Sequence, residues 1–242
     1  MCGCDYGGTS WTTRGEADWM GRLLELGEGR KLLEVGAGSG WPALYLARQT
    51  GCDATLADLP REALRIAAAR VLSEPVAGDI SLAVADGASL PFKAEQFDAV
   101  CHSDVLCCLA AKRDVLSECM RVIRRSGKMV FTVISIPQGL TRAAHVRAVD
   151  SGPPFVETEC EYSKLLEGTG WMVIDRVDVS ADYEETGRRY IREVQTRCDE
   201  LSALLGEPKV RELLSKRQRN VEAVAEGLVR RDMFVASPIE AN

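Results

Sequence analysis

The segment from Leu32 to Gly40 constrains the fold of this chain most strongly. Its sequence, LLEVGAGSG, joins a short apolar strand to a glycine-rich turn, and Pro42 opens the helical pattern that follows. Glycine allows the positive φ angles that a tight turn requires, and proline is common in the first turn of a helix. A strand, a glycine-rich turn and a helix in succession predict the first unit of a doubly wound α/β sheet.

The strand–helix alternation continues along the chain and predicts a seven-stranded, mostly parallel, Rossmann-like sheet. We predict helices over residues 14–26, 42–48, 60–70 and 113–125, the last of them stopped by Gly127. The predicted strands cover 31–35, 52–58, 80–86, 97–101, 128–134, 170–177 and 231–236. Residues 182–229 have a helical pattern throughout, which indicates a helical insertion before the last strand.

Charge and length limit the possible partners and the number of domains. The 242 residues carry a net charge of −6, so a nucleic-acid partner is not expected. We interpret the basic stretches 121–125 and 211–219 as solvated helix faces. No apolar run is long enough to predict a membrane span, and the amino terminus has no secretory pattern. We therefore expect a single cytoplasmic domain, without a prediction of its oligomeric state.

The nine cysteines do not suggest a disulfide framework, because their number is odd and several lie in apolar segments. We expect small buried side chains at Cys52, Cys101, Cys107, Cys108 and Cys119. Cys107 and Cys108 are adjacent, and Cys2 and Cys4 are separated by one residue, so these pairs could in principle bind a metal ion. Only two histidines are present, so no metal site is predicted, and His145 is expected to be an ordinary helical residue.

The glycine turn is compatible with either a dinucleotide or S-adenosylmethionine. A dinucleotide fingerprint would require a third glycine at position 41, where the chain has Trp41. S-adenosylmethionine has no pyrophosphate and needs glycines only for the approach of its ribose and methionyl tail. Trp41 therefore favours S-adenosylmethionine, and a nicotinamide-dependent oxidoreductase is the weaker alternative.

Three acidic residues stand at the ends of three successive strands. Glu34 is expected to orient the turn or hold the cofactor's amino group, Asp58 to bind the two ribose hydroxyls, and Asp86 to accept from the adenine amino group. Taken singly, such residues are more often helix caps, and a glycine turn is more often structural. Their joint spacing predicts a cofactor site. From the turn itself, the predicted cofactor residues are Gly36, Ala37, Gly38 and Gly40.

Several stretches between Leu32 and Ile136 resemble the core of class I S-adenosylmethionine-dependent methyltransferases. They are LEVGAGSG at 33–40, DL at 58–59, DGASLPF at 86–92, FDAV at 97–100 and RVIRRSG at 121–127. The resemblance implies that Leu59 packs on the adenine, that Asp86 and Gly87 meet its amino edge, and that the product is S-adenosylhomocysteine. It also divides the domain into a cap segment (1–30), a cofactor-binding core (31–136) and a carboxyl-terminal part (137–242).

Outside this core the chain is similar to small-molecule methyltransferases of the quinone-biosynthesis and amine N-methylating kinds. That similarity implies a small-molecule acceptor and makes residues 182–229 a lid; the alternative is that these helices only extend the core or form a dimer contact. We expect Phe155, Tyr183, Arg189 and Tyr190 to roof the acceptor pocket. Tyr6 and Trp11 are candidates to fold over the cofactor's sulfonium, because an aromatic face attracts a cation.

Methyl transfer is an in-line displacement, and holding the reactants in line can supply much of the acceleration without any acid or base. If a base is used, the candidates are His102 and Asp104, while His102 and Ser103 are also expected to line the cofactor's methionyl end. Related enzymes often have histidine at the positions of Cys107 and Cys108, so that form of acid–base chemistry is in doubt here. A cofactor-binding protein without catalysis remains a second alternative.

Overall fold

A seven-stranded sheet forms the centre of the computed structural model, which describes residues 10–74 and 76–239. Its strands are β1 (Lys31–Val35), β2 (Asp53–Asp58), β3 (Ile80–Val84), β4 (Phe97–Ser103), β5 (Ile123–Ser135), β6 (Trp171–Asp178) and β7 (Arg230–Pro238). They lie in the order β3-β2-β1-β4-β5-β7-β6. β1 to β5 pair in parallel, whereas β7 runs antiparallel to both of its neighbours. The predicted doubly wound, mostly parallel sheet is confirmed.

Helices cover both faces of this sheet. They are α1 (Arg14–Leu23), α2 (Ala43–Thr50), α3 (Arg61–Ser73), α4 (Lys112–Val122), α5 (Arg142–Ser151), α6 (Tyr162–Glu167), α7 (Ser180–Thr196), α8 (Cys198–Leu205) and α9 (Glu207–Ala225). One buried cluster contains side chains of α1, α2 and α3, and the other contains side chains of α4, α5 and α6. α7, α8 and α9 stand between β6 and β7, where the helical insertion is predicted.

The first helix begins as predicted and ends earlier. Thr13 and Glu16 form a complete capping box, since each side chain accepts a hydrogen bond from the other residue's backbone N–H. The prediction extends this helix to residue 26, but α1 ends at Leu23. Glu25 has a φ of 52°, and this left-handed conformation turns the chain out of the helix.

The prediction of a helix over 113–125 is wrong at its end, and so is the interpretation of 121–125 as one helix face. α4 ends at Val122, and Ile123 already begins β5, with its side chain buried opposite Phe97 of β4. Gly127 lies in that strand, where an added Cβ would stand 2.8 Å from the carbonyl oxygen of Asp98. Pairing with β4 outweighs the helical pattern, because the sheet buries Ile123 without a connecting loop.

The thiols follow the prediction with one exception. Cys52, Cys101, Cys107 and Cys119 are buried, whereas Cys108 is exposed, because its short 3-10 turn ends at the surface. The cysteines at positions 2 and 4 lie outside the described residues. Over residues 10–74 and 76–239, no three histidine, cysteine or acidic side chains are grouped closely enough to hold a metal ion. None of the helices in these ranges has the length and apolarity to cross a membrane.

Candidate functional site

The glycine turn after β1 has a backbone that side chains would disturb. Gly36, Gly38 and Gly40 have φ angles of 71°, 53° and 100°. A Cβ at Gly36 would stand 2.4 Å from Cγ2 of Val105, and a Cβ at Gly40 would stand 2.4 Å from Cδ1 of Leu44. These glycines therefore serve both conformation and close packing. The contact with Val105 also brings the turn directly against the chain that follows β4.

Asp58 holds this turn from the neighbouring strand. Val35 and Ala57 are register partners, so β1 and β2 end side by side. Oδ2 of Asp58 accepts a hydrogen bond from Gly38 N at 2.5 Å, and Oδ1 accepts from Leu59 N at 2.8 Å. A carboxylate oxygen has two lone pairs, so both oxygens can still accept from a ligand's hydroxyls. Ala37 lies in the same turn, and its N–H donates to Ala57 O at 3.2 Å.

Glu34 is buried beneath the turn. Its Oε2 accepts from Ala43 N, the first amide of α2, at 3.1 Å, which supports a role in orienting the turn. Oε1 is buried and has no hydrogen-bond partner among the described residues. The pKa of Glu34 is raised to about 8, mainly by burial and also by the nearby charge of Asp58, against the lowering effect of the hydrogen bond from Ala43 N. The carboxyl group is thus mainly protonated at neutral pH.

The ends of β2 and β3 present the groups predicted for an adenine. Asp58 and Val84 are register partners, so the carboxyl ends of β2 and β3 lie at the same edge of the sheet. Asp86 follows β3 at this edge. Oδ1 of Asp86 accepts from Ala88 N at 2.9 Å, and the residue is exposed. The side chain of Leu59 is 62% exposed although it is apolar. An exposed leucine beside a carboxylate is a surface on which a flat heterocycle can pack.

Gly87 lets this loop approach β1, since an added Cβ would stand 2.9 Å from Cγ1 of Val35. Trp41, which separates the turn from the dinucleotide pattern, is buried, and its indole N–H donates to Thr12 O at 2.8 Å. The indole therefore joins the start of α2 to the amino-terminal segment. The large residue that argues against a dinucleotide has a structural role of its own.

His102 does not occupy the position that the sequence prediction assumes. β4 continues to Ser103, two residues beyond its predicted end, so His102 lies within the sheet opposite Phe131. Its ring is fully buried, stacks on Phe131 at 4.5 Å between centroids, and has no hydrogen-bond partner among the described residues. Burial lowers its pKa to about 3. This geometry does not support either predicted role, as a base or as a cofactor contact.

Asp104 stands at the carboxyl end of β4 and faces a buried arginine. Its carboxylate accepts from Nε of Arg231 at 2.9 and 3.1 Å, and it does not cap the following 3-10 turn. Arg231 also donates to Glu16 at 2.6 Å and to the hydroxyls of Thr12 and Thr132. Both oxygens of Asp104 are thus engaged by Nε of Arg231, and this geometry favours a positioning role over proton abstraction.

Arg231 is the functional residue that the sequence analysis missed. Its side chain is fully buried and joins β7 to α1 and to the end of β4. A sequence signal was present, because residues at alternate positions of a strand share one face. Arg231 shares its face with Met233 and Val235, which are both buried. A charged residue in that series indicates a buried ion pair.

A cavity of about 240 Å³ opens beside Ser103 and Asp104. Ser103 Oγ accepts from the Thr12 hydroxyl at 3.0 Å, which ties this end of β4 to the amino-terminal segment. The other side of the cavity comes from the helical insertion and the segment after α5. The lining residues used below are Trp11, Cys108, Tyr183, Lys216, Arg217 and Asn220. We call this space the acceptor cavity.

Only one of the four predicted roof residues lines the acceptor cavity. Tyr183 does so, and Tyr190 contacts the Trp11 ring edge to face. Phe155 and Arg189 are outside the lining, and Arg189 pairs with Glu185 on an exposed helix face. Trp11 belongs to this cavity, whereas Tyr6 lies outside the described residues. His145 pairs with Glu157 on the surface, away from the acceptor cavity.

Comparison with known proteins agrees with this geometry. Residues 33–131 match the family model of a methyltransferase domain, which covers β2, β3 and β4 together with most of β1 and β5. The methyltransferase GfsG of Streptomyces halstedii is 31% identical over 170 residues, which are 68% of this chain and 60% of that protein. Residues 33–131 thus form a methyltransferase domain. The alignment with GfsG covers only 60% of that relative's length.

The likeness in three dimensions extends beyond this methyltransferase domain. A Galdieria sulphuraria protein described as a sarcosine dimethylglycine methyltransferase superposes with a TM-score of 0.85, over 93% of this chain and 85% of its own, at 16% identity. A phosphoethanolamine N-methyltransferase of Haemonchus contortus, solved with S-adenosylhomocysteine, has a TM-score of 0.80 at 18% identity, covering 94% of this chain and 53% of its own. At these identities the likeness establishes the fold, with the helical insertion included.

Proposed function

We propose that this protein transfers the methyl group of S-adenosylmethionine to a small molecule bound in the acceptor cavity. One observation carries the proposal: the glycine turn touches Val105, and the residue before it, Asp104, forms part of the cavity wall. A cofactor on the turn and a molecule in the cavity would thus meet at the end of β4. A protein that only senses the cofactor has no need of such a cavity.

The residues around the turn fit S-adenosylmethionine. Asp58 retains lone pairs for the two ribose hydroxyls, Leu59 offers an exposed apolar face, and Asp86 has an oxygen free to accept from an amino group. Glu34 holds the turn through the hydrogen bond that its Oε2 accepts from Ala43 N. When bound, the cofactor supplies an electrophilic methyl group on a positively charged sulfur.

The chemistry requires alignment above all. The acceptor's lone pair forms the new bond to the methyl carbon, the carbon–sulfur bond breaks, and sulfur keeps that electron pair in S-adenosylhomocysteine. Holding the two reactants in line can supply much of the barrier reduction. We assign Ser103 and Asp104 to positioning at this point and α7 and α9 to the cover that excludes water, as a lid would.

We propose the cytoplasm as the compartment, because the seven cysteines within the described ranges form no disulfide with one another. A free small molecule, rather than a nucleic acid, is the acceptor we propose, since the chain is acidic overall.

Calorimetric titration tests the cofactor assignment. S-adenosylhomocysteine should bind and NAD should not, and the reverse result would overturn the proposal. Asp58→Ala should weaken S-adenosylhomocysteine binding by about 2–4 kcal/mol, because a charged hydrogen-bond acceptor is lost and its partners stay unpaired. Asp53→Ala is the matched control at the opposite end of β2, where Asp53 accepts from Asp79 N. It should leave the affinity unchanged.

Methyl transfer itself is tested by incubating the protein with labelled S-adenosylmethionine and a panel of amines, phenols, thiols and carboxylic acids. Release of S-adenosylhomocysteine together with a labelled product is expected. Tight cofactor binding without transfer to any class of acceptor would favour the sensor instead.

A further inference from the structure

Two cations of α9 line the acceptor cavity together with Ser103 and Asp104 of the β4 end. Lys216 is exposed, and Arg217 is partly buried. Among residues 10–74 and 76–239, no carboxylate lies within ion-pair distance of either side chain. Glu212, one turn before Lys216, is paired with Lys209, and the charge of Lys216 also lowers its pKa. Within the described part of the chain, the cavity therefore contains two positive charges without a direct ion-pair partner.

Arg217 is held rigidly in place. Its guanidinium lies 3.6 Å from the centroid of the Trp11 ring, and Nη1 donates to Tyr183 Oη at 3.2 Å and to Asn220 Oδ1 at 2.8 Å. Asn220 is buried and is itself fixed by a bond from Nδ2 to Ser151 O at 3.0 Å. These contacts engage one nitrogen only. Nε and Nη2 have no partner within the described part of the chain.

The arrangement resembles a preformed anion site more than a solvated helix face. A solvated arginine has no need of an aromatic face, a tyrosine hydroxyl and a buried amide to fix its direction. Guanidinium groups bind carboxylates and phosphates through two parallel N–H donors, and Nε with Nη2 is one such pair.

The carboxylate at the end of β4 does not cancel this positive charge. Asp104 is the carboxylate that lines the cavity there, and Arg231 already binds both of its oxygens. The thiol of Cys108 lines the cavity too. Its pKa is lowered first by the hydrogen bond with Cys107 and then by the charges of Lys112 and Lys216, against the raising effects of burial and Asp104.

We propose that the methyl acceptor carries an acidic group, a carboxylate or a phosphate, which Lys216 and Arg217 bind at the α9 end of the cavity. The rest of the molecule then extends between the cavity walls toward Ser103 and Asp104, where its nucleophilic atom meets the methyl group. This inference rests on the proposed function, and it adds the chemical class of the acceptor.

Ligand-observed NMR on protein saturated with S-adenosylhomocysteine tests the proposal. The probes are 4-hydroxybenzoate and 4-hydroxyphenyl phosphate, compared with the neutral methyl 4-hydroxybenzoate and the cationic tyramine. The two acids should bind more tightly than the other two probes, and the preferred acid distinguishes a carboxylate from a phosphate site. Lys216→Met and Arg217→Met should each weaken the acids by about 10- to 100-fold, as expected for lost charged hydrogen bonds.

Arg219→Met is the matched control, because Arg219 is an exposed arginine of the same helix that does not line the cavity. It should leave the binding of both acids unchanged. Lys216→Met guards against a folding artefact, since Lys216 is exposed and takes part in no hydrogen bond or ion pair within the described residues.

Three results would overturn the inference: binding of neither acid, binding of the ester or tyramine as tight as that of the acids, or undiminished acid binding in both variants. Failure of S-adenosylhomocysteine to bind would instead overturn the proposed function. The acids can then be titrated without the cofactor product, so the two failures are distinguishable.

Discussion

Replacing Arg231 with methionine should destabilise this protein more than any surface substitution. Arg231 is fully buried, and it pairs with Glu16 and Asp104, whose side chains are only 2% and 9% exposed. Arg231→Met keeps an unbranched side chain of comparable length but leaves two buried carboxyl groups without their cation. Burial already raises the pKa of Glu16 despite the opposing charge of Arg231, so loss of the arginine should raise this pKa further.

The size of the effect follows from the cost of an unpaired buried charge. Breaking a buried ion pair by removal of one partner typically costs about 3–5 kcal/mol. Proteins of this size are stable by only about 5–15 kcal/mol, so the loss is a large fraction of the total. At about 2–4 °C per kcal/mol for a chain of 150–250 residues, the melting temperature should fall by on the order of 10 °C.

Urea unfolding followed by circular dichroism measures this loss, with Arg189→Met as the control. Arg189 pairs with Glu185 on an exposed helix face, where an ion pair contributes less than about 1 kcal/mol. The neutral triple variant Glu16→Gln, Asp104→Asn, Arg231→Met should regain a large part of the stability, because no buried charge is left unpaired. The reasoning is refuted if Arg231→Met costs no more than the control, or if the triple variant is less stable than the single one.

The remaining predictions concern the cofactor turn. Because the pKa of Glu34 is raised from about 4.5 to about 8, the folded state binds more protons than the unfolded state between these values, and stability falls as the pH rises through this window. Glu34→Gln should abolish this pH dependence, and above pH 8 its free energy of unfolding should exceed that of the wild type by up to about 4–5 kcal/mol. Urea unfolding would contradict this if the stabilities of the two proteins changed with pH in parallel. Gly36→Ala should be more destabilising than Gly29→Ala, since both have a φ near 75° but an added Cβ meets Val105 only at Gly36. Equal decreases in the melting temperatures of the two variants would show that the clash with Val105 is relieved without cost.

Much of the cofactor end of the molecule is predictable because it depends on local chemistry. Gly36 and Gly40 are predictable as turn residues because side chains disfavour positive φ, and Asp58 because parallel strands end at one edge. The pairing of Val35 with Ala57 and of Asp58 with Val84 brings these positions together as expected. Their contact with a cofactor remains a prediction.

The acceptor end was less predictable, because it depends on residues far apart in sequence. Lys216 and Arg217 of α9 lie across the cavity from Ser103, and Trp11 reaches it from the amino-terminal segment. The sequence analysis placed Phe155 and Arg189 in the roof because they are aromatic or cationic. Which face of each inserted helix turns inward is decided by how α7 and α9 pack together.

The amino-acid sequence alone determined the class of fold, the glycine turn and the acidic residues at the strand ends, since each depends on backbone preference or strand periodicity. Only the tertiary structure decided that His102 is sealed in the sheet, that α4 passes directly into β5 at Ile123, and that Arg231 joins α1 to Asp104. The physical reason is that burial and ion pairing are set by neighbours brought together from distant segments. A local sequence pattern predicts the conformation of a residue, but it does not predict which distant residues will surround it.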